Sequence, residues 1–119
     1  MTICDTYVGD LSDSEFKWEG GDWNGNFPAR LSEFFPPYEG KHYGVAMHDW
    51  MKEKGLVYRQ TDFGTWVAKA TKAEVMEFFE AAYARRVALP WMEEKWAVIR
   101  QSLLDLPEGV TYGLVSQEF

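Results

Sequence analysis

Cysteine, histidine and positive charge are all scarce in this 119-residue chain, and no long apolar run occurs. Cys4 is the single cysteine, so no intrachain disulfide forms, which fits a reducing compartment. No stretch approaches the roughly 18–20 apolar residues of a membrane span. The opening Met-Thr-Ile-Cys-Asp has neither the basic nor the apolar region of a signal peptide. Twelve Lys and Arg stand against 19 Asp and Glu, for a net charge of −7. Nucleic acids and anionic membranes are bound through basic patches that displace counterions, so neither is expected as a partner. The expectation is a cytoplasmic protein forming one domain over residues 1–119.

The chain is well supplied with apolar and aromatic mass. Hydrophobic residues make up 46% and aromatic rings 17%, enough for a packed core and unlike the composition of disordered chains. Ile3 to Val8 is β-branched and aromatic and stops at Gly9-Asp10, which reads as a strand ending in a turn. The stretch 9–41 differs in kind. It holds Gly20, Gly21, Gly25 and Gly40 with Pro28, Pro36 and Pro37, and so cannot be one regular element. Phe16, Trp18, Trp23, Phe27, Phe34, Phe35 and Tyr38 fall in the same stretch. An inserted loop over 9–41, pinned to the body by these rings, is the expectation.

From Tyr43 the pattern becomes periodic. Tyr43, Ala46, Met47, Trp50 and Met51 make one helical stripe, and Gly55 suits its C-terminal cap. Leu56–Gln60 and Thr65–Lys69 read as strands joined by a hairpin at Thr61-Asp62-Phe63-Gly64. Thr71 and Glu74 have the spacing of a capping box, in which each side chain bonds the other's backbone N–H. Val75, Phe78, Phe79, Ala82 and Tyr83 continue that helix. Pro90 interrupts it, and Met92, Trp96, Ile99, Leu103 and Leu106 form another apolar seam. Val110–Val115 reads as the last strand. The expected fold is α+β, an antiparallel four-stranded sheet with helices on one face. The β-α-β-β-α-β order of a ferredoxin-like domain is expected, with the long aromatic-rich loop after the first strand.

Few motifs carry chemistry. Asp22, Asn24, Asn26 and Glu33 match the oxygen-ligand spacing of a calcium loop, but Phe27 stands where the sharp turn requires glycine, and Pro28 restricts it further. His42 and His48 are six residues apart, about 240° around a helix, so they cannot share a metal from one face. His48 falls outside the apolar stripe and reads as a solvated surface residue. No basic cluster or helix N-terminus stands near Cys4 to activate its thiol, and no serine lies in a G-x-S-x-G context. No cofactor or metal is expected, and the reading leans away from an enzyme.

Charge is distributed unevenly. Residues 1–33 hold seven acids (Asp5, Asp10, Asp13, Glu15, Glu19, Asp22, Glu33) against Lys17 and Arg30, with Trp18, Trp23, Phe16 and Phe27 among them. Aromatic anchors ringed by carboxylates suit a basic protein surface: the rings supply desolvated contacts, and the acids speed encounter. The leading expectation is therefore a non-enzymatic acidic protein in an inhibitor, immunity-type or adaptor role. Its binding segment is 10–35, with Asp13, Trp18, Glu19, Asp22, Trp23 and Phe27 as contact residues. The alternative is a small-ligand binder or minor enzyme using an aromatic cleft between loop and sheet, with Cys4, Asp5, His42 and His48 as its polar groups. Homo-oligomerisation through an exposed edge strand at Leu56–Gln60, or through Trp91 and Trp96, is a third option.

Overall fold

Pairing across an extended segment, rather than propensity, builds the first part of the chain. The computed structural model describes residues 2–10, 29–35, 43–62, 64–85 and 92–118. Strand β1 (Thr2–Asp10) runs antiparallel to β2 (Ala29–Phe35), in an unbroken register from Thr2 opposite Phe35 to Val8 opposite Ala29. This strand lies inside the stretch expected to be a loop, and corrects that expectation. Ala and Glu are weak strand formers, and the strongly β-prone residues, Phe34 and Phe35, come only at the end, so Ala29–Phe35 carries a weak strand signal of its own. The ladder with β1 supplies what propensity does not. Pro28 and Pro36, which break ladders, stand immediately outside its two ends.

Helix α1 (Tyr43–Glu53) follows the predicted stripe, with Ala46, Met47 and Met51 buried. Its C-terminus closes as a Schellman motif. Leu56 N–H donates to the Met51 carbonyl at 3.1 Å, Gly55 N–H donates to Lys52 at 3.1 Å, and Gly55 takes φ +70°. Strands β3 (Tyr58–Asp62) and β4 (Thr65–Ala70) form the expected hairpin, with Gly64 at φ +79° in its turn. A register shift between Gln60 and Asp62 puts a bulge at Thr61.

The capping box forms as predicted at the start of α2 (Lys72–Arg85). Thr71 N–H donates to Glu74 Oε1 at 2.9 Å, and Glu74 N–H donates to Thr71 Oγ1 at 3.3 Å. Helix α3 (Met92–Leu104) packs antiparallel to α2. Lys72 Nζ at the start of α2 donates to the Leu104 carbonyl at the end of α3, at 2.7 Å. Further along the pair, Tyr83 and Trp96 stack with centroids 4.4 Å apart. A cation at a helix C-terminus satisfies both the orphan carbonyl and the dipole. After α3 the chain enters β5 (Tyr112–Glu118), whose start is fixed by Tyr112 Oη donating to the Pro107 carbonyl at 2.6 Å.

The five strands are ordered β2-β1-β5-β4-β3, with every neighbouring pair antiparallel. The α+β class and the antiparallel sheet match the expectation, but the sheet departs from a ferredoxin-like one in two respects. One is the added β2 edge. The other is that β5, last in sequence, inserts between β1 and β4, where a ferredoxin-like sheet would pair those two strands directly. Helix α1 connects β2 at one edge of the sheet to β3 at the other.

The three helices share one core with a single sheet face. Val8, Leu114 and Ala68 lie on one rung, Tyr112 and Ala70 on another, and all are buried against Met47, Met51, Phe78, Phe79, Ile99, Leu103 and Leu106. The alanines of β4 leave room for the helices. Tyr7, Val115 and Val67 form the row on the opposite face and are also buried, so the middle of the sheet is covered on both sides. Five consecutive buried residues, Tyr112 to Ser116, record this in β5. Among the described residues no helix is long and apolar enough to cross a membrane.

Candidate functional site

Two places in the fold collect the residues singled out by sequence. The first is the β1–β2 hairpin. Val8 is paired with Ala29, so the chain leaves and re-enters the sheet at the same end, and everything between is one connection over 11–28. Asp13, Trp18, Glu19, Asp22, Trp23 and Phe27 all belong to it. These six lie outside the described residues, but the strands bounding them place their points of attachment. Their connection carries four acids (Asp13, Glu15, Glu19, Asp22) against Lys17, and Asp10 precedes it at the end of β1. The rest of the chain is nearly balanced. Beyond residue 33 there are 12 acids and 10 bases. Several of these form surface pairs, Lys54 with Glu77 at 2.8 Å, Lys72 with Glu108 at 3.6 Å and Arg100 with Glu80 at 3.9 Å.

The strand character of β2 also bears on the calcium-loop spacing. Glu33 would close that shell from the start of a helix, whereas here it sits within a strand, opposite Cys4 of β1. Among the described residues no three His, Cys, Asp or Glu side chains gather as a metal site.

The second place is where α1 crosses the β3–β4 end of the sheet. The His48 imidazole stacks on the Trp66 indole, with centroids 3.9 Å apart and planes 11° from parallel. Tyr58 of β3 meets His48 edge-on at 4.9 Å and Trp66 at 6.0 Å. All three rings are half-buried. His48 is thus not the solvated residue that its helical position suggests. It borders the apolar stripe, and a ring as tall as Trp66 reaches it from the sheet. Trp66 and Tyr58 are the functional candidates that sequence reasoning passed over. The available signal was the alternation of Trp66 with Ala68 and Ala70, which puts the indole on the helix face of β4.

Hydroxyls border this cluster. Ser116 pairs with Trp66 on one side and with Thr6 on the other, and both Ser116 and Thr6 are fully buried. Ser116 Oγ has no hydrogen-bond partner among the described residues, and neither has Thr61 Oγ1 in the bulge beside Gln60, the residue opposite Trp66. A buried hydroxyl without a partner costs about 1–3 kcal/mol. Cys4 and Asp5 lie on the same β1 strand, opposite Glu118 and Gln117 of β5, at most two residues from Thr6. His42 lies outside the described residues. The structure therefore brings His48 into an aromatic cluster and puts Cys4 and Asp5 on a strand two places away in the sheet. No protein-family model, curated protein or solved structure matches the chain.

Proposed function

We propose that this is a non-enzymatic binding protein, of inhibitor, immunity-type or adaptor kind, whose 10–35 segment engages a basic surface of another protein. The observation that carries the reading is the placement of charge on the fold. Five of the seven net negative charges fall in residues 1–33, and Asp13, Trp18, Glu19, Asp22, Trp23 and Phe27 all fall in 11–28, between the paired ends of β1 and β2. Acids of one sign grouped in this way steer a basic partner and raise its association rate, while desolvated Trp and Phe slow its release.

The test starts with affinity capture of tagged protein from a lysate of its source, beside a Trp18/Trp23/Asp22 triple variant. A stoichiometric partner held by the wild type and lost by the variant is expected. With that partner in hand, charge reversal at Asp13, Glu19 and Asp22 slows association and flattens its salt dependence, whereas Trp18→Ala and Trp23→Ala raise the dissociation rate. Affinity untouched by all five substitutions would overturn the reading.

A second reading rests on the His48–Trp66–Tyr58 cluster and the partnerless Ser116 hydroxyl beside it. Half-buried rings bordered by polar groups suit a small planar or sugar-like ligand. A melting screen against sugars, nucleotides and divalent cations tests it. A ligand at 100 times its dissociation constant stabilises by about 2.7 kcal/mol, and the shift should disappear in Trp66→Ala. Absence of a shift with every class would remove this reading.

A further inference from the structure

The helix-side face of the sheet is apolar at Val8, Leu114 and Ala68, and two residues further along each strand it turns polar, at Thr6 and Ser116 beside Trp66. Thr6 and Ser116 are fully buried, and Ser116 Oγ has no hydrogen-bond partner among the described residues. Ser116 is the ladder neighbour of Trp66, and their side chains share one face. An unmet hydrogen bond thus lies beside the indole platform. The His48 ring already on that platform does not meet it.

His48 occupies Trp66 as a stacked planar ligand would, with planes 11° from parallel and centroids 3.9 Å apart. Tyr58 stands edge-on to both rings, at 4.9 Å and 6.0 Å, and walls the seat on one side. The occupant is a single side chain of α1, held there by ring contacts. Helical side chains lean toward the preceding turn, and Gly44, one turn before His48, has no side chain to block a change of rotamer.

We infer that His48 is a displaceable plug: an uncharged planar heterocycle of nucleobase type takes its place on Trp66 and pairs a polar edge with Ser116 Oγ. This rests on the small-ligand reading above, and names its ligand class and its gate. A seat filled by a flat ring favours a heterocycle over a puckered sugar. A hydroxyl both donates and accepts, so Ser116 meets either kind of edge atom. Thr6, Ser116, Tyr58 and Trp66 supply no cation for a phosphate, and a net charge of −7 disfavours an anion. Satisfying the buried Ser116 hydroxyl offsets the stack that His48 gives up.

Adenosine, guanosine, cytidine and uridine, each titrated into the intact protein, test the plug, with glucose for comparison. The readout is NMR of the His48 ring protons and the Trp66 indole N–H. The indole ring current holds the His48 protons upfield. When a nucleoside binds they should move to ordinary imidazole positions, a change that needs no substitution. Ser116→Ala should weaken that nucleoside about fivefold, for one lost hydrogen bond, without lowering the melting temperature. Trp66→Ala should abolish binding, His48→Ala should tighten it, and the nucleoside's monophosphate should bind more weakly. A His48 ring that stays upfield in the complex, or weaker binding by a folded His48→Ala, would overturn displacement while leaving a ligand site at Trp66. Unchanged affinity in Ser116→Ala would overturn the pairing. Silence with all four nucleosides, or signals moved by glucose instead, would overturn the ligand class, and the melting screen then decides the small-ligand reading separately. Binding that survives Trp66→Ala would overturn both.

Discussion

Gly55 is the residue at which the smallest change has the clearest cost. Its φ of +70° lies in the left-handed region, and a Cβ built there meets nothing within 4 Å. The penalty of Gly55→Ala is therefore backbone strain alone, about 1–2 kcal/mol, read as a lower midpoint in urea with an unchanged slope. Nearby, Lys54 is held above the ordinary lysine pKa, first by its hydrogen bond to Glu77 and then by the attraction of that carboxylate. Both side chains are about half exposed, so water screens the pair and its effect on stability is small. A raised folded value contributes stability below the unfolded pKa and loses it as pH rises through the folded one. Glu77→Gln is expected to lower the Lys54 midpoint, measured by NMR at its 13Cε; an unchanged midpoint would mean that the 2.8 Å pair does not persist in solution.

Elements are held by their ends as much as by their faces. The Thr71–Glu74 box starts α2, and the Lys72 ammonium beside it closes α3, so one turn secures two helices. Thr71→Ala should cost about 1 kcal/mol, or about 4 °C in melting temperature for a domain of this size. A loss far below this would show that tertiary packing alone starts the helix. Such local devices were legible in the sequence, because a capping box or a glycine cap involves residues within a turn of each other. Strand β2 was not. Its composition is only a weak strand signal, and its ladder partner β1 lies beyond an 18-residue connection, 11–28. The stack of His48 on Trp66 was equally hidden, since it joins a helix to a strand across the sheet.

At the scale of the molecule, the last strand lies near the centre of the sheet. β5 is flanked by β1 and β4, and Leu114, Val115 and Ser116 are fully buried. Amide exchange should be slowest in β5 and fastest among the strands in β3, whose edge is bulged and whose Arg59 and Gln60 are exposed. Uniform protection across both would contradict this sheet order. Because β5 closes contacts with residues more than a hundred positions earlier, the sheet is completed only by the C-terminal strand.

The candidate binding residues illustrate how sequence and structure divide the determination of this protein. Composition alone marked Asp13, Trp18, Glu19, Asp22, Trp23 and Phe27, because charge and aromatic content are properties of a segment wherever it lies. Periodicity likewise determined α1, α2, α3 and the β3–β4 hairpin, since each is stabilised by neighbours three, four or a few residues away. Only tertiary structure decided that the acidic stretch ends in a strand, that β5 separates β1 from β4, and that His48 lies on Trp66. Those outcomes depend on backbone ladders and ring contacts between distant residues, and no local preference encodes which distant segments will meet.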